Sequence, residues 1–250
     1  MSVLEARGLR KAFGGVRAVA DVSFSLAAGE LLAMIGPNGA GKSTCFNLIG
    51  GQLRPDAGEV LLGGTVLRGL QAPALCRLGI GRTFQLAAAF ASMTVEENVQ
   101  VAIAARERRL GALFSPLAGG ARAETRDVLA KVGLQRQSSR ACAELAYGDL
   151  KRVELALALA GRPRVLLMDE PTAGMAPAER RALMQLAVAL ARDERIGVLF
   201  TEHDMDAVFA HADRILVLAD GRVIAEGAPA EVRRDAEVRR VYLGEEPGDA

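Results

Sequence analysis

Residues 36–44, GPNGAGKST, place three glycines, a lysine and two hydroxyl side chains within nine positions. The order is glycine, four residues, then glycine-lysine-serine, the spacing of a phosphate loop. Gly36, Gly39 and Gly41 let the loop turn backbone N–H groups onto phosphate oxygens. Pro37, Asn38, Ala40 and Thr44 complete the stretch. The helix expected after the loop adds its dipole. Lys42 can reach the β- and γ-phosphates of a nucleotide, and the Ser43 hydroxyl is a hard ligand for Mg²⁺. An ordinary strand–turn–helix junction is the bland alternative. The buried strand expected before the loop and the helix after it favour phosphate binding.

A second set lies downstream. RVLLMD ends in Asp169 and is followed by Glu170. A strand ending there puts a carboxylate at the carboxyl edge of a parallel sheet, where α/β proteins bind ligands. Asp169 suits Mg²⁺, directly or through water, and Glu170 can accept a proton from an attacking water. Two acids capping the next helix would look similar, but PTAG intervenes. His203, in VLFTEHDM, falls just past another apolar run and is read as a γ-phosphate contact. His211 is read as an ordinary histidine. Gln85 ends GIGRTFQ and can ligate Mg²⁺ or orient water. Phe13 either stacks on a nucleobase or fills the core.

These residues need a scaffold. Short strands with glycine turns are expected through VLEARGL, VSFSL, AAGE and LLAMI, the last apolar enough for a strand buried on both faces. A helix is expected from about Lys42 to Ile49, stopped by Gly50 and Gly51. Residues 58–84 read as strand-like. From about 86 to 160 Ala, Leu and Arg dominate, with Ser92 and Thr94 as caps, which predicts a mainly helical lobe with a loop at 108–124. After 160 the α/β rhythm returns: strands RVLLMD and IGVLFTE, helices APAERRALMQLAVALARDER and MDAVFAHA, and a hairpin at Asp220-Gly221. One closing helix is expected over PAEVRRDAEVRRVYL. ELAYGDLKRVELALALA, residues 144–160, reads as an amphipathic helix with Leu150, Val153, Leu157 and Ala160 on one face.

The 250 residues suffice for one large domain or a core with a smaller lobe. A net charge of +1 and 4% aromatics argue against nucleic acid as the main partner. Cys45, Cys76 and Cys142 form neither a CxxC pair nor an even set, so free thiols are expected. The N-terminus lacks a signal-peptide core, and no apolar run matches a membrane span.

In order, the phosphate loop, Gln85, Leu145-Ala146-Tyr147-Gly148, LLMDEP and TEHD resemble the ATPase subunits of ABC transporters. Lys42 and Asp169 are 127 residues apart (169 − 42), room for an inserted helical lobe. RTFQ, LAYG, the segment around 106–124 and the ending VRRVYLGEE are similar to the ATPase of branched-chain amino acid importers. The resemblance implies a P-loop NTPase of RecA-like core with an antiparallel β subdomain, over 1–85 and 161–250. A helical signature subdomain is inserted at about 86–160. It implies ATP and Mg²⁺ as cofactors and catalysis by Glu170, His203 and Gln85. Residues 145–149, ending in Asp149, would face ATP held by a second ATPase subunit, in a homodimer or, preferably, a heterodimer. Two membrane permeases, fed by a periplasmic binding protein, would dock the pair at the cytoplasmic face of the bacterial inner membrane. Residues 86–99 would meet a permease, with Glu96 and Glu97 as probes. The resemblance leaves open a urea or amide importer, a lipopolysaccharide exporter, and, from another class, an ABC ATPase acting on nucleic acid or ribosomes. A P-loop kinase is a further rival. Two departures stand out: Ala146 replaces the usual signature serine, and Ala176 the usual acid or amide after the AGM turn.

Overall fold

The computed structural model describes residues 2–67, 69–83, 89–107 and 119–243. Chain order begins with strands β1 (Ser2–Phe13), β2 (Val16–Ala27) and β3 (Leu31–Ile35), then helix α1 (Lys42–Ile49). Next come β4 (Ala57–Leu62), β5 (Thr65–Val66), α2 (Ala72–Leu78) and β6 (Ile80–Thr83). Three helices follow: α3 (Val95–Arg106), α4 (Gly119–Val132) and α5 (Tyr147–Ala160). The rest is β7 (Val165–Asp169), α6 (Pro177–Glu194), β8 (Gly197–Thr201), α7 (Met205–His211), β9 (Arg214–Ala219) and β10 (Arg222–Gly227), closed by short α8 (Pro229–Val232) and α9 (Ala236–Val238).

The strands run in the order β5-β4-β1-β2-β10-β9-β3-β8-β7-β6. Strand β3 lies parallel to both β8 and β9, and β7 is parallel to β8 and β6. Strands β1, β2, β4 and β5 pair antiparallel. Every residue of β3 and β8 is buried, which is why LLAMI and GVLFT carry no polar alternation. In the parallel register Asp169 lies beside Thr201, so the strand ends form one edge. The turn between β9 and β10 has φ of 47° at Asp220 and 72° at Gly221, both positive as a type I′ turn requires.

Helices α3, α4 and α5 share one cluster of buried apolar side chains with the sheet, to which Val95, Val99 and Val153 belong along with Leu31 and Phe200. Thr94 starts α3 through a capping box: its Oγ1 accepts from Glu97 N at 3.2 Å, and its own N donates to Glu97 Oε2 at 2.7 Å. Thr94, not Ser92, is therefore the cap.

Several expectations are corrected. Residues 58–84 are not all strand: α2 begins with Pro73 in its first turn and ends at Gly79, whose φ is 106°. The loop expected over 108–124 gives way to α4 from Gly119, while 108–118 lie outside the described residues. The closing helix is broken, because the Asp235 carboxylate caps Glu237 N and Val238 N and restarts the chain. Helix α5 is not simply amphipathic. It is packed by α3, α4, α6 and β6, so Leu155, Ala156 and Leu159 are buried while Leu150 and Leu157 are half-buried.

Candidate active site

The loop before α1 is held tightly against the sheet and against β2. Gly36 has φ of 155°, and a Cβ there would run into the Leu218 carbonyl oxygen. Gly41, the N-cap of α1, has φ of 100°, and a Cβ there would strike the Ala18 carbonyl oxygen. Only glycine fits either position. Lys42 is buried, and its Nζ donates to Gly36 O at 2.6 Å and Pro37 O at 3.0 Å. Burial lowers its pKa, opposed by the Glu170 and Asp169 carboxylates nearby. Asn38, Gly39 and Ser43 are exposed, Pro37 and Thr44 half-buried, and Ala40 buried.

Asp169 closes β7 with its two carboxylate oxygens in different hands. Thr201 Oγ1 donates to Oδ1 at 2.7 Å, and Arg82 Nη2 approaches Oδ2 at 3.4 Å. Thr201 also takes the next residue, since Glu170 N donates to its carbonyl at 3.2 Å and to its hydroxyl at 3.0 Å. Glu170 is left-handed, with φ of 47°. That conformation is uncommon for a residue with a Cβ and turns the side chain away from the strand's alternation. Its Oε1 lies 2.9 Å from His203 Nε2. The site thus joins Lys42, Asp169, Glu170 and His203 at one sheet edge. The Asp169 carboxylate and the exposed Ser43 hydroxyl are both hard oxygens, the ligand type that suits Mg²⁺. No group of three or more histidine, cysteine, aspartate or glutamate side chains placed to hold a metal occurs among the described residues.

Sequence reasoning missed the supporting residues. Glu202 is buried and accepts from Thr172 N at 2.9 Å and Thr172 Oγ1 at 2.6 Å, tying the loop after Glu170 to the end of β8. Thr201 and Glu202 stand directly before His203, the one signal that would have found them. Gln85 lies outside the described residues. Phe13 is 48% exposed at the end of β1, so the core alternative falls, and the Lys11 ammonium sits 5.6 Å from its ring centroid.

Residues 145–149 lie at the other end of the chemistry. Ala146 is the N-cap of α5 and supplies no side-chain cap. Tyr147 Oη donates to Ala173 O at 3.1 Å, and a Cβ on Gly148 would sit 3.1 Å from Glu179 Oε1. Asp149 occupies the first turn. Leu145 is buried. Among the described residues, no hydrogen bond or ion pair joins 145–149 to 36–44.

The family described as ABC transporter matches residues 19–173, and that described as branched-chain amino acid ATP-binding cassette transporter matches residues 222–247. The chain is 38% identical to the high-affinity branched-chain amino acid transport ATP-binding protein LivG of Escherichia coli, over 97% of this chain and 98% of the relative. It is 33% identical to the lipopolysaccharide export system ATP-binding protein LptB of the same species, over 98% and 99%. Among solved structures, the ADP conformation of an ATP-binding cassette of an ABC transporter superposes with a TM-score of 0.86. It is 32% identical and covers 98% of this chain and 100% of that one. With that match spanning the loop, the lobe and the strand ends, the chain belongs to the ABC transporter ATP-binding family, the transport ATPases with an α/β P-loop fold.

Proposed function

We propose that the chain hydrolyses Mg²⁺-ATP to drive uptake of branched-chain amino acids through two membrane permeases. What carries the hydrolytic part is one geometry: Glu170, forced out of the strand's alternation, bonded to His203 and adjacent to Asp169 and Lys42. Residues 36–44 bind the phosphates, and Phe13 lies against the base. Ser43 and Asp169 hold Mg²⁺, which when bound neutralises phosphate charge. Glu170 takes the proton of the attacking water, and His203 orients Glu170 and contacts the γ-phosphate. Gln85 ligates Mg²⁺ or orients the attacking water. Residues 145–149 act in trans, on ATP held by a second ATPase subunit, in a heterodimer by preference. The domain division follows: core 1–85 and 161–250, lobe about 86–160.

The solute class rests on the LivG likeness and on the match of 222–247. LptB is the more distant relative, so lipopolysaccharide export is the weaker reading. No helix among the described residues is long and apolar enough to cross a membrane. We place the chain at the cytoplasmic face of the inner membrane, docked to the permeases.

Glu170→Gln tests the hydrolytic reading. ATP affinity stays near that of the unmodified chain while turnover falls roughly 10²–10⁴-fold. Near-normal turnover assigns the base elsewhere. Uptake of labelled leucine, urea and amides in a deletion strain tests the solute class. A leucine rate unchanged by the deletion refutes it.

A further inference from the structure

Arg82, on β6, does more than face Asp169. Its Nη1 donates to Asn47 Oδ1 on α1 at 2.9 Å and to Gln52 Oε1 at 2.7 Å, while Nη2 lies 3.4 Å from Asp169 Oδ2. The side chains of Arg82 and Asp169 are 15% and 13% exposed. One planar fork therefore fastens three segments: the helix after the phosphate loop, the turn that follows it, and the end of β7. The two amide oxygens are neutral, so Asp169 is the charged partner within this set. The guanidinium also lines a cavity of about 200 Å³ between α2 and α5, walled by Gln52, Leu75, Cys76 and Glu154.

We propose that Arg82 is a positioning residue of the metal carboxylate: anchored by Asn47 and Gln52, its guanidinium competes with a divalent cation for Asp169 and sets the Mg²⁺ concentration at which nucleotide binds tightly. The proposal rests on the reading of Asp169 as the Mg²⁺ carboxylate. The physical reason is charge competition. A cation fixed within 4 Å of a carboxylate weakens its pull on a second cation, and in a mostly buried pair salt screens this poorly. Thr201 keeps Oδ1 oriented without a charge, so losing the guanidinium does not leave the carboxylate free to swing. A guanidinium stays protonated throughout. It yields to a bound metal only by relaxing away from Oδ2, and the anchors at Asn47 and Gln52 resist that movement.

The test uses the full chain and the affinity for a fluorescent ATP analogue across a range of free Mg²⁺, with a metal-free arm in EDTA and a thermal melt. Arg82→Gln lowers the half-saturating Mg²⁺ by about three- to ten-fold, the size expected for a partly screened neighbouring charge, and leaves metal-free affinity unchanged. Arg82→Lys keeps the charge but loses the planar fork and its anchors, so it shifts the midpoint the same way as Arg82→Gln but less. Gln52→Ala, which loosens one exposed anchor, shifts the midpoint the same way as Arg82→Gln but less. A purely structural Arg82 moves the melting temperature and leaves the Mg²⁺ midpoint in place, which overturns the proposal. So does a raised midpoint in Arg82→Gln, or equal shifts in the Gln and Lys variants. If Arg82→Gln does not fold, an unchanged midpoint in Gln52→Ala overturns it. Asp169→Asn separates the two layers: Mg²⁺ dependence that persists there refutes the metal reading of Asp169, whatever Arg82 does.

Discussion

Two helix N-termini in this chain use the same dipole and the same unsatisfied N–H groups, yet they are finished differently. Helix α1 has eight residues and a left-handed glycine, Gly41, at its cap, with Lys42 buried against its own loop. Helix α5 has fourteen residues, an extended Ala146 at its cap with no side-chain cap, and an exposed Tyr147. Around the first end the chain assembles a lysine, two carboxylates and a histidine. Around the second it supplies backbone and little else. The first N–H groups of any helix need acceptors from outside it. At α1 the proposed function reads the surrounding residues as a phosphate site within one chain. Neither end has a side-chain cap, so both leave N–H donors for an outside acceptor, and under the proposed function the acceptor at α5 is a nucleotide held by a partner. In that reading the partner is a second ATPase subunit.

The largest effect comes from attacking the completed end. Lys42→Ala removes the one buried cation of the loop, and ATP affinity and hydrolysis should fall by about 10²-fold or more. Its hydrogen bonds go only to two loop carbonyls, so the melting temperature should change little. The sharper measurement is a mixed dimer. A Lys42→Ala subunit paired with an unmodified one should still close on the ATP of the unmodified subunit, because its α5 end is intact. Mixed dimers that fail to close would mean that the two ends are not separable.

The converse is Gly148→Asp. The new carboxylate would meet a γ-phosphate offered by the partner, and two like charges about 4 Å apart repel by roughly 1–4 kcal/mol between bulk and surface dielectric. ATP-dependent dimerisation should weaken by about 5-fold to nearly 10³-fold, with ATP binding at 36–44 untouched. The structure adds a complication within the chain, since the side chain also points at Glu179 Oε1. Glu179 is the N3 residue of α6, with its other oxygen accepting from Ala176 N at 3.3 Å. A double variant with Glu179→Gln removes that repulsion. Dimerisation restored by the second change would place the whole effect inside one chain and refute the action in trans.

The completed end was far more legible in the sequence than the open one. GPNGAGKST, LLAMI and RVLLMD carry their geometry in local spacing and apolar runs, and the structure places Lys42, Asp169, Glu170 and His203 together. The residues that hold them were hidden. Arg82 meets Asp169 across 87 positions and Thr201 meets it across 32, contacts created by parallel register that no local pattern encodes. Helix α2 was missed because seven residues give too little periodicity, although Pro73 and Gly79 mark both its ends. The 86–99 stretch shows a related limit. Glu97 looked like a free surface acid, but it closes the Thr94 capping box, so reversing its charge would damage α3 itself. Glu96 is the cleaner probe of permease contact.

The smallest effect is expected at Tyr147, and it is the finest test of the contrast between the two ends. Its hydroxyl is the side-chain link from the start of α5 to the loop after Glu170, donating to Ala173 O at 3.1 Å. The ring also lies under the Lys151 ammonium, 5.5 Å from its centroid. Tyr147→Phe keeps the ring and deletes only the hydroxyl. Its oxygen and the Ala173 carbonyl are near solvent, so water can replace the lost bond. The cost should stay at or below about 1 kcal/mol, the low side of a neutral hydrogen bond. Thermal stability should drop by a few degrees at most, and ATP-dependent dimerisation by less than about five-fold. If the open end works through backbone donors, this loss must remain well below that of Gly148→Asp. A Tyr147→Phe variant as defective in dimerisation as Gly148→Asp would make the hydroxyl the working group. The end of α5 would then be a side-chain site, and its likeness to the end of α1 would be accidental.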